Sequence, residues 1–445
     1  MRNLVLILPF LLSCLTPLSF HFSLIIHHSS LIIYHSMHIL LIHQAFAALN
    51  EAGGTRHHEL ALFLASKGHR VTVIASPVSY LSGAESPVSA APPAAAESGP
   101  GGVRVLRAYT YQALHKSFFH RLLAFFSFMI SSFFLGLGVE NVDVVWGTSP
   151  PIFQGITAWA LARLKGAKFL FEVRDLWPDF AIAVGVLKNP LLIRLSFWLE
   201  RFLYRRADQM MVNSPAYVAH VLARGARAVE LLPNGADPAM FNPLDGGYVF
   251  RTRYSLKNKF VALYAGAHGI SNDLGVVLQA AALLRDEPRM QIILLGDGKE
   301  KTNLQAQAAA LGLKNVLFLP PAPKSEMAQI LAAADACIAI LKPLEEYKTT
   351  YPNKVFDYMA AGRPLALAID GVIREVVEAA GCGLFARPGD PAALAQALRA
   401  LAADRDRSME MGLAGRRYLE EHFDRQKLAE KLEVLLQKMD GSRYN

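Results

Sequence analysis

A rhythm that occurs twice along the chain limits it to one kind of architecture. From Met37 onward, short apolar runs alternate with longer helical patterns. The runs are HILLIH (38–43), RVTVIA (70–75), VRVL (103–106), DVVWG (143–147), KFLFEV (168–173) and DQMMVN (208–213). Between them lie helical segments. TRHHELALFLASKG (55–68) carries apolar Leu60, Leu62, Phe63 and Leu64 and stops at Gly68, and two others are IFQGITAWALARLKG (152–166) and PLLIRLSFWLERFLYRRA (190–207). After ELLPNGADPAMFNP (230–243) the alternation starts again. FVALYAG (260–266), QIILLGD (291–297), NVLFLP (315–320), DACIAIL (335–341) and PLALAI (364–369) read as strands, with helices over 276–286, 301–312, 325–334 and 354–362. Such alternation predicts mostly parallel sheets covered by helices on both faces. The Pro/Asn/Gly-rich segment between the halves reads as a hinge. The fold class is therefore α/β, with two facing doubly wound domains, a cleft between them, and ligands at the carboxyl ends of the strands.

The 445 residues suffice for two or three domains with real cores. The formal charge of +8 favours anionic partners, but it is scattered as on an ordinary solvated surface, and no nucleic-acid partner is expected. Cys14, Cys337 and Cys382 form neither a metal-ligand spacing nor a disulfide framework, which fits a reducing compartment. Residues 1–36 form a hydrophobic extension with one positive charge, Arg2, and no acid. They read as a cleaved signal, as an anchor, or as a spurious start ahead of Met37. SGAESPVSAAPPAAAESGPGG (82–102) reads as a flexible loop. FFHRLLAFFSFMISSFFLGLG (118–138) is a long apolar helix with two readings: a buried core helix, or a monotopic membrane helix with His115, Lys116 and Arg121 at its edge.

Familiar motifs are absent: there is no P-loop, no G-x-G-x-x-G after a strand, no zinc-protease helix at His57-His58-Glu59, and no G-x-S-x-G elbow. What remains is a set of strand-to-helix turns. Gly53-Gly54-Thr55 follows the first strand, with Thr55 placed to cap the next helix. Gly266-Ala267-His268-Gly269 and Gly296-Asp297-Gly298 follow the first two strands of the second half. Glycines there let backbone amides approach a phosphate. In YPNKVFDYMAAG (351–362), Pro352-Asn353 opens a helix, Lys354 adds a charge suited to a diphosphate, and Asp357 lies one turn on, suited to a ribose diol. The plain alternative is a cap with an exposed Asp–Lys pair. FEVRDLWPD (171–179) ends a strand with Arg174 and Asp175 at the cleft mouth. As structure alone, these two would form a loop-fixing ion pair and Glu172 would face solvent.

These stretches, together with MHILLIHQAF, VWGTSPP, LPNGAD, LLGDGKEK and GCGLFARPGDPAALAQAL, resemble the family-4 glycosyltransferases of the GT-B fold. The likeness runs from Met37 to about Phe423. It is nearest to the branch of bacterial O-antigen and capsule enzymes that includes N-acetyl-fucosamine transferases. The resemblance implies two Rossmann-like domains, over 37–236 and 237–423, with the last segment, 424–445, crossing back to the first. It implies retaining transfer from a nucleoside-diphosphate sugar, which is a substrate, with no cofactor and no bound metal. Donor-binding positions are Gly53, Gly54, Gly266, His268, Gly269, Gly296, Asp297, Gly298, Lys324, Asn353, Lys354 and Asp357; catalytic positions are Arg174, Asp175 and Lys354. Uridine is the expected base. The acceptor is expected to be lipid-linked or a saccharide, met at the inner face of the plasma membrane through peripheral contact. A cytosolic donor favours Met37 as the true start. Two departures from the family pattern stand out. Thr349 stands where many members carry the first Glu of a Glu-x7-Glu pair whose second place is Asp357, and Arg174 replaces a histidine often found before the aspartate. A GT-B sugar-nucleotide epimerase and a non-catalytic nucleotide-binding partner subunit are the alternatives.

Overall fold

A computed structural model describes residues 36–51, 53–78, 97–98, 102–112 and 118–441. The extension up to residue 35, most of the 82–102 loop, His115 and Lys116 lie outside the described residues. The first half builds a sheet from β1 (His38–Ile42), β2 (Arg70–Ala75), β3 (Glu97–Ser98), β4 (Val103–Arg107), β5 (Val144–Ser149), β6 (Lys168–Val173), β7 (Gln209–Val212) and β8 (Val229–Leu231). Their order is β3-β4-β2-β1-β5-β6-β7-β8, parallel throughout except for the β3–β4 edge. The second half builds a parallel sheet from β9 (Phe260–Ala265), β10 (Met290–Leu295), β11 (Val316–Leu319), β12 (Ala336–Ile340), β13 (Leu365–Ala368) and β14 (Gly383–Phe385), in the order β11-β10-β9-β12-β13-β14. The order in which strands are added reverses beside the first strand of each sheet, at β1/β5 and at β9/β12, the places where a parallel sheet of this kind leaves a crevice at its carboxyl ends.

The continuous apolar runs are explained by burial on both faces. In β1, Ile39 and Leu41 enter one core layer while Leu40 and Ile42 enter the other; in β9, Val261 and Leu263 alternate with Ala262 and Tyr264 in the same way. The short strands β3, β8 and β14 were not legible, because two or three residues carry too little apolar pattern to register. The helix expected over 325–334 begins as a 3-10 turn, Lys324–Glu326, before Met327–Ala332.

The helices that bear on the cleft and on the outer surface of the first half are α1 (Arg56–Ser66), α2 (Phe118–Leu137), α3 (Phe153–Lys165), α4 (Pro190–Arg206), α5 (Asn353–Ala360) and α6 (Arg425–Asp440). Helix α6 lies against α1. Its Leu428, Leu432 and Leu436 share a buried cluster with Ile39, Leu60 and Leu64 of the first half. The chain crosses between the halves at two places that touch. Ala236 bridges Asp424, with the Ala236 amide 3.2 Å from the Phe423 carbonyl and the Arg425 amide 2.9 Å from the Ala236 carbonyl. Helix α2 is not the buried core helix that one reading expected. Its Ala124, Phe128 and Ser132 are buried, but Phe119 and Phe134 are 65% and 66% exposed. We expect Leu432→Ala, which empties a fully buried site, to lower stability by about 2–5 kcal/mol in urea unfolding followed by circular dichroism.

Candidate active site

At the carboxyl end of β6, Glu172 is fully buried, not solvent-facing. Its carboxylate is met by the Arg56 guanidinium, by His57 Nε2 at 2.7 Å, and by the Trp146 indole N–H at 3.1 Å. A buried carboxylate persists only when paired in this way. Burial alone would raise the Glu172 carboxyl, but Arg56 and His57 more than offset it and hold it well below the usual carboxylate range. Burial pushes His57 down to about 4, so it donates to Glu172 as a neutral ring. His43 stacks on His57 with centroids 4.0 Å apart, and its Nδ1 lies 2.8 Å from the Thr148 hydroxyl. Thr55 does precede α1, but its hydroxyl donates to Glu59 at 2.5 Å and caps no amide. This hub ties the start of α1, and with it the loop bearing the exposed Gly53 and Gly54, to β6. Gly53 has φ +156°, and a side chain there would meet Ala47 at 2.9 Å; Gly54 faces open space.

Arg174 and Asp175 follow β6, and they do not form the loop-fixing pair. The Arg174 guanidinium donates to the Pro150 carbonyl at 2.8 Å. Burial raises the Asp175 carboxyl to about 6, with Arg174 pulling it back. Phe180, five residues on, packs against Tyr217 of the first half and Tyr347 of the second, with ring centroids 6.4 and 5.7 Å apart, so this turn lies on the seam between them.

In the second half, the two glycine turns interlock. The His268 amide donates to the Asp297 carbonyl at 2.7 Å, and the Glu300 amide donates to the His268 carbonyl at 2.9 Å. A Cβ on Gly296 (φ +144°) would sit 1.8 Å from the Gly266 carbonyl oxygen; one on Gly298 (φ +153°) would sit 2.6 Å from the His268 carbonyl oxygen. The space these glycines leave is filled by the neighbouring turn. Their amides are engaged as well: Gly266 with Leu295, Gly296 with Leu319, and Gly298 with the Asp297 carboxylate at 2.8 Å. The expectation that these amides approach a phosphate is therefore corrected for Gly266, His268, Gly296 and Gly298. Gly269 sits at the end of the first turn, where a Cβ would meet only the Asn272 side chain, at 3.5 Å.

One cation here has no counter-charge, and one imidazole no partner, among the described residues. Lys354, in the first turn of α5, puts its ammonium 3.8 Å from the Tyr264 ring centroid and 3.5 Å from the Asn272 side-chain oxygen. It lies where a side chain on Gly266 (φ +150°) would be, 2.9 Å from that Cβ position. No carboxylate pairs with it among the described residues, and burial lowers its pKa to about 7. His268 is fully buried with neither ring nitrogen partnered, and burial, then Lys301, push it down to about 4. Lys354 thus keeps only a neutral oxygen and an aromatic face as partners, while the His268 ring has none. Asn353 opens α5 on an exposed position, and Asp357, one turn on, pairs with Lys324.

The first half fixes the approach to α5. The Ser214 hydroxyl donates to the Thr349 carbonyl at 2.5 Å, the Asn234 amide group donates to the Tyr351 carbonyl at 2.6 Å, and the Ser325 amide donates to the Leu49 carbonyl at 3.1 Å. Thr349 itself closes its own turn, its hydroxyl donating to the Glu346 carbonyl at 2.6 Å. Tyr264, Asn272, Ser214, Asn234 and the Glu172 hub were missed. Several stand inside stretches that carried the resemblance, yet their partners are far away in sequence. Asp179, Glu200 and His220 also converge, but Arg224 bonds both carboxylates and fills that cluster as an ion network. Glu172→Gln, which leaves Arg56 buried without a counter-charge, is expected to cost about 3–5 kcal/mol in chemical denaturation.

The family of Glycosyl transferase 4-like domains matches residues 52–235, and the family of Glycosyl transferases group 1 matches residues 259–404. The putative colanic acid biosynthesis glycosyl transferase WcaI of Escherichia coli is 27% identical over 314 residues, 68% of this chain and 76% of that protein. Sucrose-phosphate synthase from Thermosynechococcus elongatus shares the fold with a TM-score of 0.73 at 18% identity, covering 91% of this chain and 100% of that one. Anabaena HepE, solved with UDP-glucose, does so with a TM-score of 0.68 at 18% identity, covering 90% and 100%.

Proposed function

We propose, from the premise that this chain belongs to the family-4 glycosyltransferases of the GT-B fold, that it moves a sugar from a UDP-type donor to a lipid-linked acceptor in cell-surface polysaccharide synthesis. The observation that carries the donor assignment is the unpaired, enclosed ammonium of Lys354 beside the unpartnered His268. A diphosphate supplies the counter-charge that Lys354 lacks and an acceptor for the N–H of the neutral His268 ring. The role of WcaI in colanic acid synthesis supports the polysaccharide setting, and the UDP-glucose bound to HepE supports uridine.

In this reading the diphosphate lies against Lys354, His268 and the start of α5 at Asn353. The ribose diol meets Asp357, whose position Lys324 already fixes. As the bond from the anomeric carbon to the diphosphate oxygen breaks, negative charge grows on that oxygen. Lys354 stabilises it from a place set in advance, inside a cleft of low dielectric. The acceptor hydroxyl comes from the first half. Its oxygen bonds to the anomeric carbon and its proton passes to Asp175, a carboxylate with pKa about 6 that is mostly ionised at neutral pH. Arg174, anchored on Pro150, orients the groups around it. Transfer with retention and without a metal ion follows the family pattern, with Lys354 as the resident cation. The reaction belongs at the inner face of the plasma membrane, where a cytosolic donor meets a lipid-linked acceptor.

Lys354→Ala should weaken UDP binding by about 1.5–3 kcal/mol, the range of a charged hydrogen bond. The pH dependence has a definite sign. The free ammonium has a pKa near 7, and a bound diphosphate raises it. Affinity is thus full below pH 7 and falls as pH rises toward the bound value, with a proton taken up on binding at about pH 8. Calorimetry in buffers of different ionisation enthalpy reads that uptake; the same uptake in Lys354→Ala would refute the assignment. Asp357→Asn should weaken nucleotide binding by about 1–3 kcal/mol and leave the choice of donor sugar unchanged in a panel of nucleotide sugars.

A further inference from the structure

Helices α2, α3 and α4 cover one face of the first sheet, with α3 touching both others. Their outward side is apolar to an extent that ordinary solvated surfaces avoid. On α2 the exposed positions Phe119, Leu123, Phe126, Ile130, Phe134 and Leu137 recur every three or four residues and form one stripe. Leu164 continues it on α3, and Leu191, Leu195 and Trp198 on α4, with Trp198 62% exposed.

The exposed charges on the three helices themselves have one sign. None of the three helices has an acidic residue except Glu200, which is buried under Arg224. Arg163 of α3 and Arg194, Arg201 and Arg205 of α4 are exposed. An apolar surface with an aromatic anchor and an arginine rim is complementary to a bilayer bearing anionic headgroups. Helix α2 is long and apolar enough to cross a membrane, but one side of it is packed into the core, so the helix lies along the surface.

The face also reaches the cleft. α2 leads into β5, α3 runs from β5 to β6 and α4 leads into β7, so all three helices start at the carboxyl edge of the sheet. There Phe126 meets Phe153 (ring centroids 4.8 Å apart), and Phe153 meets Trp177 (5.9 Å), two residues past Asp175.

We propose that this three-helix face docks on an anionic bilayer, and that the Phe126–Phe153–Trp177 run packs against the hydrocarbon of a lipid-linked acceptor where it leaves the bilayer, so that the hydroxyl of its head group reaches Asp175. The acceptor half rests on the transferase reading above; the docking half does not. The test uses the full chain with vesicles of phosphatidylglycerol and phosphatidylcholine whose acyl chains are brominated, which quench tryptophans at lipid depth. The wild type should be quenched, and Trp198→Phe should remove most of that loss. Combined Ile130→Ser, Phe134→Ser and Leu195→Ser should raise the lipid concentration for half-maximal quenching at least about tenfold while leaving UDP affinity intact. Arg194→Gln with Arg201→Gln should abolish the preference for phosphatidylglycerol. An unquenched wild type, or quenching untouched by Trp198→Phe, overturns the proposal. So does a dimer, seen by sedimentation, that the serine variant splits without changing its vesicle response. A chain that docks but transfers no sugar defeats the transferase reading alone; one that glycosylates a soluble acceptor yet ignores vesicles defeats the docking alone.

Discussion

Two side-chain hydrogen bonds from the first half hold the segment that leads into α5. Ser214 and Asn234, both from the first half, hold the carbonyls of Thr349 and Tyr351, and α5 starts two residues later. Everything assigned to the donor depends on that start. It sets the ammonium of Lys354 under the Gly266 turn and over Tyr264, and it sets Asp357 within reach of Lys324. The first half thus positions the second half's charge through backbone carbonyls, whose direction a side-chain change at 349 or 351 would leave intact.

The site's electrostatics follow a division between what is satisfied and what is not. Each charge in the first half's hub has a partner: Glu172 with Arg56, His57 and Trp146, and Arg56 also with the Leu232 carbonyl. That hub is scaffold. In the second half the backbone is closed on itself, since the turns at 266–268 and 296–298 use each other's amides and carbonyls. Lys354 and His268 are then the groups left over, and they are less well solvated than they would be in water. An anion entering there meets groups whose desolvation has already been paid for by folding, which is the condition for strong electrostatic stabilisation of a leaving group.

Much of this was legible in one dimension. Repeated strand-to-helix alternation is a local pattern, and it carried the two sheets, their parallel sense and the position of the cleft. Lys354 and Asp357 stand out in the sequence as charges on an apolar helix, but their partners do not: Asn272 and Tyr264 for one, Lys324 for the other. The fate of the glycines was not. A glycine after a strand reads equally as room for a ligand or room for another turn, and only the 1.8 Å approach of the Gly266 oxygen to the missing Gly296 Cβ separates them. Glu172 was misread for a similar reason: a carboxylate near a strand end looks solvent-facing unless one knows that Arg56 and His57 arrive from a helix more than a hundred residues earlier.

The clasp at Ala236 and Asp424 has a mechanical consequence. A two-part body joined by one strand can twist, slide and drift apart; joined by two strands at separate places, it is nearly locked. Here the two crossings lie against each other, bonded through Ala236, Phe423 and Arg425, so they act as a single pivot. Such a joint permits rotation and forbids translation. A rotation about this point would move contacts beside it little and those at the far rim of the cleft most, as the pages of a book move about its spine.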